Sequence, residues 1–342
     1  MKKIEKIFSL HLNSNKPEKF EQFSESFFKN ISNPGHLEII VHIDKDDMSM
    51  KSIINTLNSK YNNSIKYVET DLIKNFNDAW KPINLLLDKT NSSVKIVACL
   101  SDDIRISTKN WDLYFLKHLL KYQKDEIFRI RCSQYKHQTY SNLWECCYRP
   151  DFSFYSKKWL DTVGCWNPCI GPDTYQEIVS YYLNLYGEDY YRSVIDENVV
   201  FEGEETLTDL SLKERIKRTK LGYKSFSELL SYKIQKKSFE AAYSLVKEIS
   251  NKEVKLIKVN YLTHTVKNFL KKLKFFHYRG SKSWLTSSIL FNIVFLIWCR
   301  IDFFDKYIIY TIKFIDRKNI LEKIITNKEQ YKKLKEAIKS EQ

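Results

Sequence analysis

The stretch KIVACLSDDIRISTKNWDLYF, Lys95 to Phe115, runs apolar to Leu100, stops at two adjacent aspartates, Asp102 and Asp103, and resumes with polar residues before Trp111. A short apolar run bounded by turn residues reads as a buried strand. Two carboxylates side by side at its end repel each other and resist desolvation unless a cation stands beside them. A divalent ion that also carries phosphate oxygens meets that need, because Mg²⁺ and Mn²⁺ take oxygen ligands and Mg²⁺ binds through one or two carboxylates plus phosphate. The plainer alternative is a loop in which Asp103 caps the helix that follows.

Upstream, the same texture repeats. Lys6–Leu12 is a short β-type run that breaks into the polar turn Asn13-Ser14-Asn15-Lys16-Pro17, and Phe20, Phe23, Phe27 and Phe28 then share a helical face. His36–Asp44 is a near-continuous apolar run ending on an acid, Ser64–Asp71 does the same, and Asn75–Thr90 reads as a helix. Strands alternating with helices describe βαβ units and a mainly parallel sheet flanked by helices, an α/β fold. Ligands of such sheets bind beyond the carboxyl ends of the strands, so Asn13, Asp44, Asp71 and the Asp102-Asp103 pair are expected along one edge.

After Ile127–Tyr135 the chain becomes aromatic, and Ser141–Gly187 holds three of the seven glycines. This segment reads as a substrate-facing loop feeding a helix, with Pro172 near its first turn and Gly187 just past its end. The seven cysteines form no regular framework, which suits reduced thiols. Cys146-Cys147, Cys165 and Cys169, with His137 nearby, lack the paired spacing of a zinc site, and the cysteines read as small buried hydrophobes. No secretory signal is legible in the first residues.

At 342 residues the chain has room for one large domain or two ordinary ones, at roughly 100–200 residues each. Its charge is divided unevenly: residues 1–204 carry 26 Lys+Arg against 28 Asp+Glu, whereas residues 205–342 carry 30 against 14, which together give the net +14. The expected division is therefore a catalytic domain over 1–204 and a helical basic region over 205–342. In the latter, Ser283–Cys299 has no charged residue across 17 positions, slightly short of the ~20 needed to span a bilayer. The apolar and charged residues that follow, with Trp284 and Trp298, fit an interfacial helix, and the expectation is monotopic attachment to an anionic cytoplasmic membrane face. The alternative is a helix packed on the catalytic domain or on a second copy in a homo-oligomer.

The series FSLHLNSNKP, IIVHIDKDD, VACLSDDIRISTKNWD and GCWNPCIGPDTYQE resembles the nucleotide-sugar glycosyltransferases of the A-type fold, especially the inverting family-2-like enzymes, over about residues 4–203. The resemblance implies a nucleotide-diphosphate sugar as donor, a glycan or lipid-linked acceptor, and Mn²⁺ or Mg²⁺ as cofactor. It places His11, Asn13 and Lys16 in the nucleotide pocket and Asp44 at the base or ribose, with Asp71 on the same rim. Ser101-Asp102-Asp103 occupies the Asp-x-Asp position, with Asp103 as metal ligand and Asp102 toward the ribose or also at the metal. Asp173 corresponds to the base that deprotonates the acceptor hydroxyl, with Glu177 one turn on as the reserve. Asp173 has a bland reading as a helix cap, and Trp144, Trp159 and Trp166 either stack on an acceptor sugar or belong to the core. A nucleotidyltransferase would also use a metal-carboxylate site, but no Gly-rich phosphate loop supports it. Nucleic-acid binding by the basic tail is the third reading, disfavoured by the long apolar stretches beside the lysines.

Overall fold

The computed structural model describes residues 5–71, 73, 78, 80–132, 152–169, 172–203, 228–229, 231–250 and 254–257. The chain divides into two compact units, Met1–Glu204 with Lys233–Ile257, and Glu205–Tyr232 with Lys258–Gln342.

The frame of the first unit is a seven-stranded sheet built from β1 (Phe8–Asn13), β2 (Leu37–Asp44), β3 (Ile65–Thr70), β4 (Ile96–Cys99), β6 (Arg129–Cys132), β7 (Phe152–Ser156) and β8 (Ser193–Ile195), in the order β3-β2-β1-β4-β7-β6-β8. Strands β1 to β4 are mutually parallel, β7 runs antiparallel to β4 and β6, and β6 and β8 are parallel. The mainly parallel sheet expected from the alternating pattern is therefore present. A separate two-stranded ribbon joins β5 (Ile104–Ile106) to β9 (Phe201–Gly203).

Side chains alternate across a strand, and here the alternation makes two unlike faces. Phe8, Leu10 and Leu12 of β1, Ile39, Val41 and Ile43 of β2, and Ile96 and Ala98 of β4 join one apolar core. The helices α1 (Pro17–Asn30) and α4 (Trp111–Lys121) close it with Phe20, Phe23, Phe27, Phe28, Trp111 and Phe115. α2 (Met48–Lys60) adds Met50, Ile54 and Leu57 and is capped by the Asp47 carboxylate, which accepts from Met50 N–H at 3.0 Å.

The opposite face carries Ser9, His11, Glu38, His42, Arg129 and Ser153, all buried. It is covered by α3 (Ile83–Asp88), α5 (Lys157–Val163) and α6 (Pro172–Asn184). Each polar group there is met by another: Glu38 pairs with Lys66 at 2.8 Å and accepts from Asn91 N–H at 2.9 Å. The long helix expected over Asn75–Thr90 is shorter among the described residues. It begins at Ile83, because Pro82 has no N–H to continue a helix and biases Lys81 away from helical geometry. α7 (Tyr232–Ser250) packs on α6 through Phe239, whose ring meets Tyr182 edge-on at 5.6 Å.

Candidate functional site at the carboxyl edge of the sheet

Parallel register brings the ends of β1 to β4 to one edge. Asn13 lies beside His42, and Asp44 beside Thr70, with Asp71 exposed just beyond. The N–H of Leu100 donates to His11 O at 2.9 Å and that of Ser14 to His42 O at 3.1 Å, so the turn after β4 follows directly on the β1 edge. β1 separates β2 from β4, so the strands leading to Asp44 and to the aspartate pair lie about 10 Å apart, two strand spacings.

Asp102 and Asp103 sit half-buried in the turn between β4 and β5. The Ser14 hydroxyl donates to Asp102 Oδ2 at 2.7 Å and also accepts from Lys16 N–H at 3.3 Å. Arg105 folds back on the same turn, its guanidinium donating to Asp102 O at 2.7 Å and to Gln22 Oε1 at 2.7 Å. Neither Ser14 nor Arg105 stands out in the sequence. The signal for Ser14 is its place in the polar turn after the first strand, but its partner lies 88 residues away. Lys16 is exposed at the start of α1.

The donor set fits a hard divalent cation: adjacent carboxylates from Asp102 and Asp103, one oxygen of Asp102 already oriented by Ser14. Among the described residues no group of three or more His, Cys, Asp or Glu side chains clusters as a metal site. Two carboxylates leave the other positions of such an ion to further oxygen ligands.

Several expected site residues are placed elsewhere. His11 has no exposed surface: Trp166 Nε1–H donates to its Nδ1 at 2.9 Å, and its Nε2 lies 3.1 Å from Ser9 Oγ and 3.0 Å from Thr90 Oγ1. Burial, with smaller contributions from Lys157 and Lys66, pushes its pKa down to about 3. It is a neutral member of the sheet's polar face and offers a nucleotide no contact. Trp166 and Trp159 are core as well, 1% and 0% exposed, with Trp159 Nε1–H donating to Gln176 Oε1 at 2.9 Å. Neither presents a ring to an acceptor sugar.

Glu177 is corrected likewise. It is 1% exposed and forms an ion pair with Arg129 at 2.7 Å beneath α6, so its carboxylate is committed to a buried cation rather than free to accept a proton from an acceptor. Asp173 is the second residue of α6, as the sequence anticipated, and its side chain lies outside what the structure describes. Trp144, Cys146, Cys147 and His137 lie outside the described residues. Cys169 is buried, and burial raises the Cys165 pKa.

A cleft lined by Lys158, Asp161, Thr162, Ser244, Lys247 and Glu248 lies between α5 and α7. α5 leaves β7 where Ser156 pairs with Ile96 at the start of β4, the edge opposite the aspartates. The cleft's Lys158 is paired with Glu248 at 2.7 Å. Position and chemistry both favour the carboxylate edge.

No family model matches this chain, and no curated protein matches it either. Solved structures do. A mannosyltransferase from Pyrobaculum calidifontis, in complex with GDP-Man and Mn²⁺, superposes with a TM-score of 0.50 at 12% identity, covering 86% of this chain and 87% of that one. TarS 1-349 from S. aureus gives 0.44 at 13% identity, with 86% and 88% covered. Glucosyl-3-phosphoglycerate synthase from Mycobacterium tuberculosis, in complex with Mn²⁺, UDP and phosphoglyceric acid, gives 0.41 at 14%, with 66% and 78% covered. At such identities the likeness is one of architecture, and the first of the three carries it. With its parallel β1 to β4, antiparallel β7 and acidic turn after β4, the chain has the A-type fold of nucleotide-sugar glycosyltransferases.

Proposed function

We propose that this protein is a glycosyltransferase that moves a sugar from a nucleotide-diphosphate donor to a glycan or lipid-linked acceptor, with inversion at the anomeric carbon. The observation that carries the reading is the 2.7 Å bond from Ser14 to Asp102, which locks the paired-aspartate turn onto the β1 edge where ligands of parallel sheets bind. The neighbouring mannosyltransferase complex, with GDP-Man and Mn²⁺, supports the donor class.

In this reading Asp103 and Asp102 hold Mn²⁺ or Mg²⁺, which when bound neutralises the charge of the leaving diphosphate. Ser14 keeps Asp102 facing the edge, and Arg105 ties down the backbone of the turn. Asp44 and Asp71 stand at the ends of β2 and β3 for the nucleoside, and Asn13 and Lys16 border the same turn. Asp173 takes the proton of the acceptor hydroxyl as the new C–O bond forms and the anomeric carbon's bond to the phosphate oxygen breaks. Its place at the N-terminal turn of α6 favours the ionised carboxylate that this role requires.

The test is a panel of nucleotide sugars screened for Mn²⁺-dependent thermal stabilisation of the full chain. One or more UDP- or GDP-sugars should raise Tm by a few degrees, and Asp103→Asn should remove the metal-dependent part; ligand occupancy at about 100 times Kd is worth roughly 2.7 kcal/mol. Stabilisation that survives Asp103→Asn unchanged would remove Asp103 from the metal.

A further inference from the structure

A transferase must hold its acceptor side in register with its donor side, and the polar face of the sheet contains a connection between the two. We propose that His11 is a positioning residue that acts through Trp166. Together they tie the loop 164–169, and the first turns of α6 that carry Asp173, to the same strand whose end holds Asp102; the inference rests on the glycosyltransferase reading.

The chemistry of the contact is asymmetric. An indole N–H can only donate. His11 Nδ1, 2.9 Å from Trp166 Nε1, must therefore be the acceptor, and the ring's proton sits on Nε2, facing the Ser9 and Thr90 hydroxyls at 3.1 and 3.0 Å. The ring is thereby fixed in tautomer and orientation from three sides.

The loop it grips is held by side chains from two helices. Asn84 at the start of α3 accepts from Trp166 N–H at 2.8 Å and Asn167 N–H at 3.2 Å, and donates to Asn167 O at 2.8 Å. Gln176 in the second turn of α6 donates to Cys165 O and Trp166 O, both at 2.8 Å. Asn167 turns the loop on itself by accepting from Cys169 N–H at 2.8 Å. Two residues then separate Cys169 from Pro172, where α6 begins.

β1 completes the link. His11 lies on it and Ser14 is the first residue past its end, three residues on, about 10 Å along an extended chain. One rigid central strand thus holds the donor turn through Ser14 and the acceptor-side loop through His11. An apolar side chain at position 11 would fill the same space. A fully satisfied buried network adds a single defined placement, which packing alone specifies less sharply.

The test compares His11→Leu, His11→Asn and Trp166→Phe in the full chain. Asn places an acceptor near the position of Nδ1, whereas Leu removes it. The readouts are hydrogen exchange of peptides covering 164–176 against those covering β1 and β2, affinity for the nucleotide sugar selected in the Mn²⁺ screen, and the rate of nucleoside diphosphate release from it. His11→Leu should raise exchange in 164–176 about tenfold while the strands are unchanged. Donor affinity should stay within about twofold, and turnover should fall roughly tenfold to a hundredfold, the scale of a small misplacement of reacting groups. His11→Asn should restore both exchange and turnover to within about threefold of the parent, Trp166→Phe should match His11→Leu, and the His11→Leu/Trp166→Phe double variant should lose no more than either. Should His11→Leu not fold, Trp166→Phe cuts the same bond from the other end. A lower Tm with unchanged turnover, a parallel loss of donor affinity, or a uniform rise in exchange would overturn the proposal. A parent protein that binds no nucleotide sugar would instead overturn the functional reading, and the exchange arm would still decide whether His11 holds the loop.

Discussion

His11 makes the protein sensitive to acid. Burial, aided by Lys157 and Lys66, holds its folded pKa at about 3, against 6.5 for an ordinary histidine. The unfolded chain therefore binds the proton more readily, and the stability this residue contributes is complete above the unfolded value of about 6.5 and drains as pH falls toward the folded one. At about pH 5 the loss is about 2 kcal/mol relative to neutral pH. Urea denaturation of the parent and of His11→Asn at both pH values checks this, because the difference between the two proteins removes every other titrating group, His42 included. Glu177 gives a second residue-scale expectation. Replacing it with Gln leaves Arg129 charged and buried opposite a neutral partner, which should cost about 3 kcal/mol or more of stability with donor affinity retained. A normally stable Glu177→Gln protein with abolished turnover would restore Glu177 as the base. Both residues resist reading from sequence for one physical reason: an acid or imidazole shows its chemistry there, but its burial depends on partners far along the chain. Trp166 is 155 residues from His11 and Arg129 is 48 from Glu177.

At the scale of elements, β1 to β4 were legible because each is a short apolar run cut off by polar residues, and the carboxyl-edge rule then gathered Asp44, Asp71, Asp102 and Asp103 without reference to any tertiary contact; β5, β7, β8 and β9, three to five residues each, carry too short a pattern to read. Pro82 was the overlooked punctuation that shortens α3. The alternation within β1 and β2 was also underread: Ser9, His11, Glu38 and His42 interrupt runs that otherwise look continuously apolar, and they mark the polar face. Strand β1 is the element on which the donor site depends most. Ser14→Ala deletes the hydroxyl that orients Asp102, a hydrogen bond to a charged group, and should weaken metal-dependent donor binding by roughly 1.5 kcal/mol, about tenfold. Titration calorimetry with the stabilising nucleotide sugar measures it; unaltered affinity would mean that the turn holds Asp102 without Ser14.

For the molecule as a whole, composition separated a neutral front from a basic back, and the front folds as an α/β unit. Among the described residues no helix is long and apolar enough to cross a membrane, and the segment 283–299 lies outside them. We propose that the basic region attaches the enzyme to an anionic membrane surface, where each Lys or Arg near the headgroups is worth about 1 kcal/mol. A chain ending at Ser281 should lose sedimentation with vesicles containing phosphatidylserine, while the full chain binds them and is released by salt. Equal sedimentation of both would refute the attachment.

The two faces of the central sheet also govern how this protein can change over time. Its hydrocarbon side admits exchanges among residues of similar bulk at little cost. The side holding Glu38, His11 and Arg129 admits only exchanges that keep every donor matched to an acceptor. Divergent descendants should therefore drift freely on one flank and change on the other in coordinated pairs, leaving a lopsided record in any collection of their sequences.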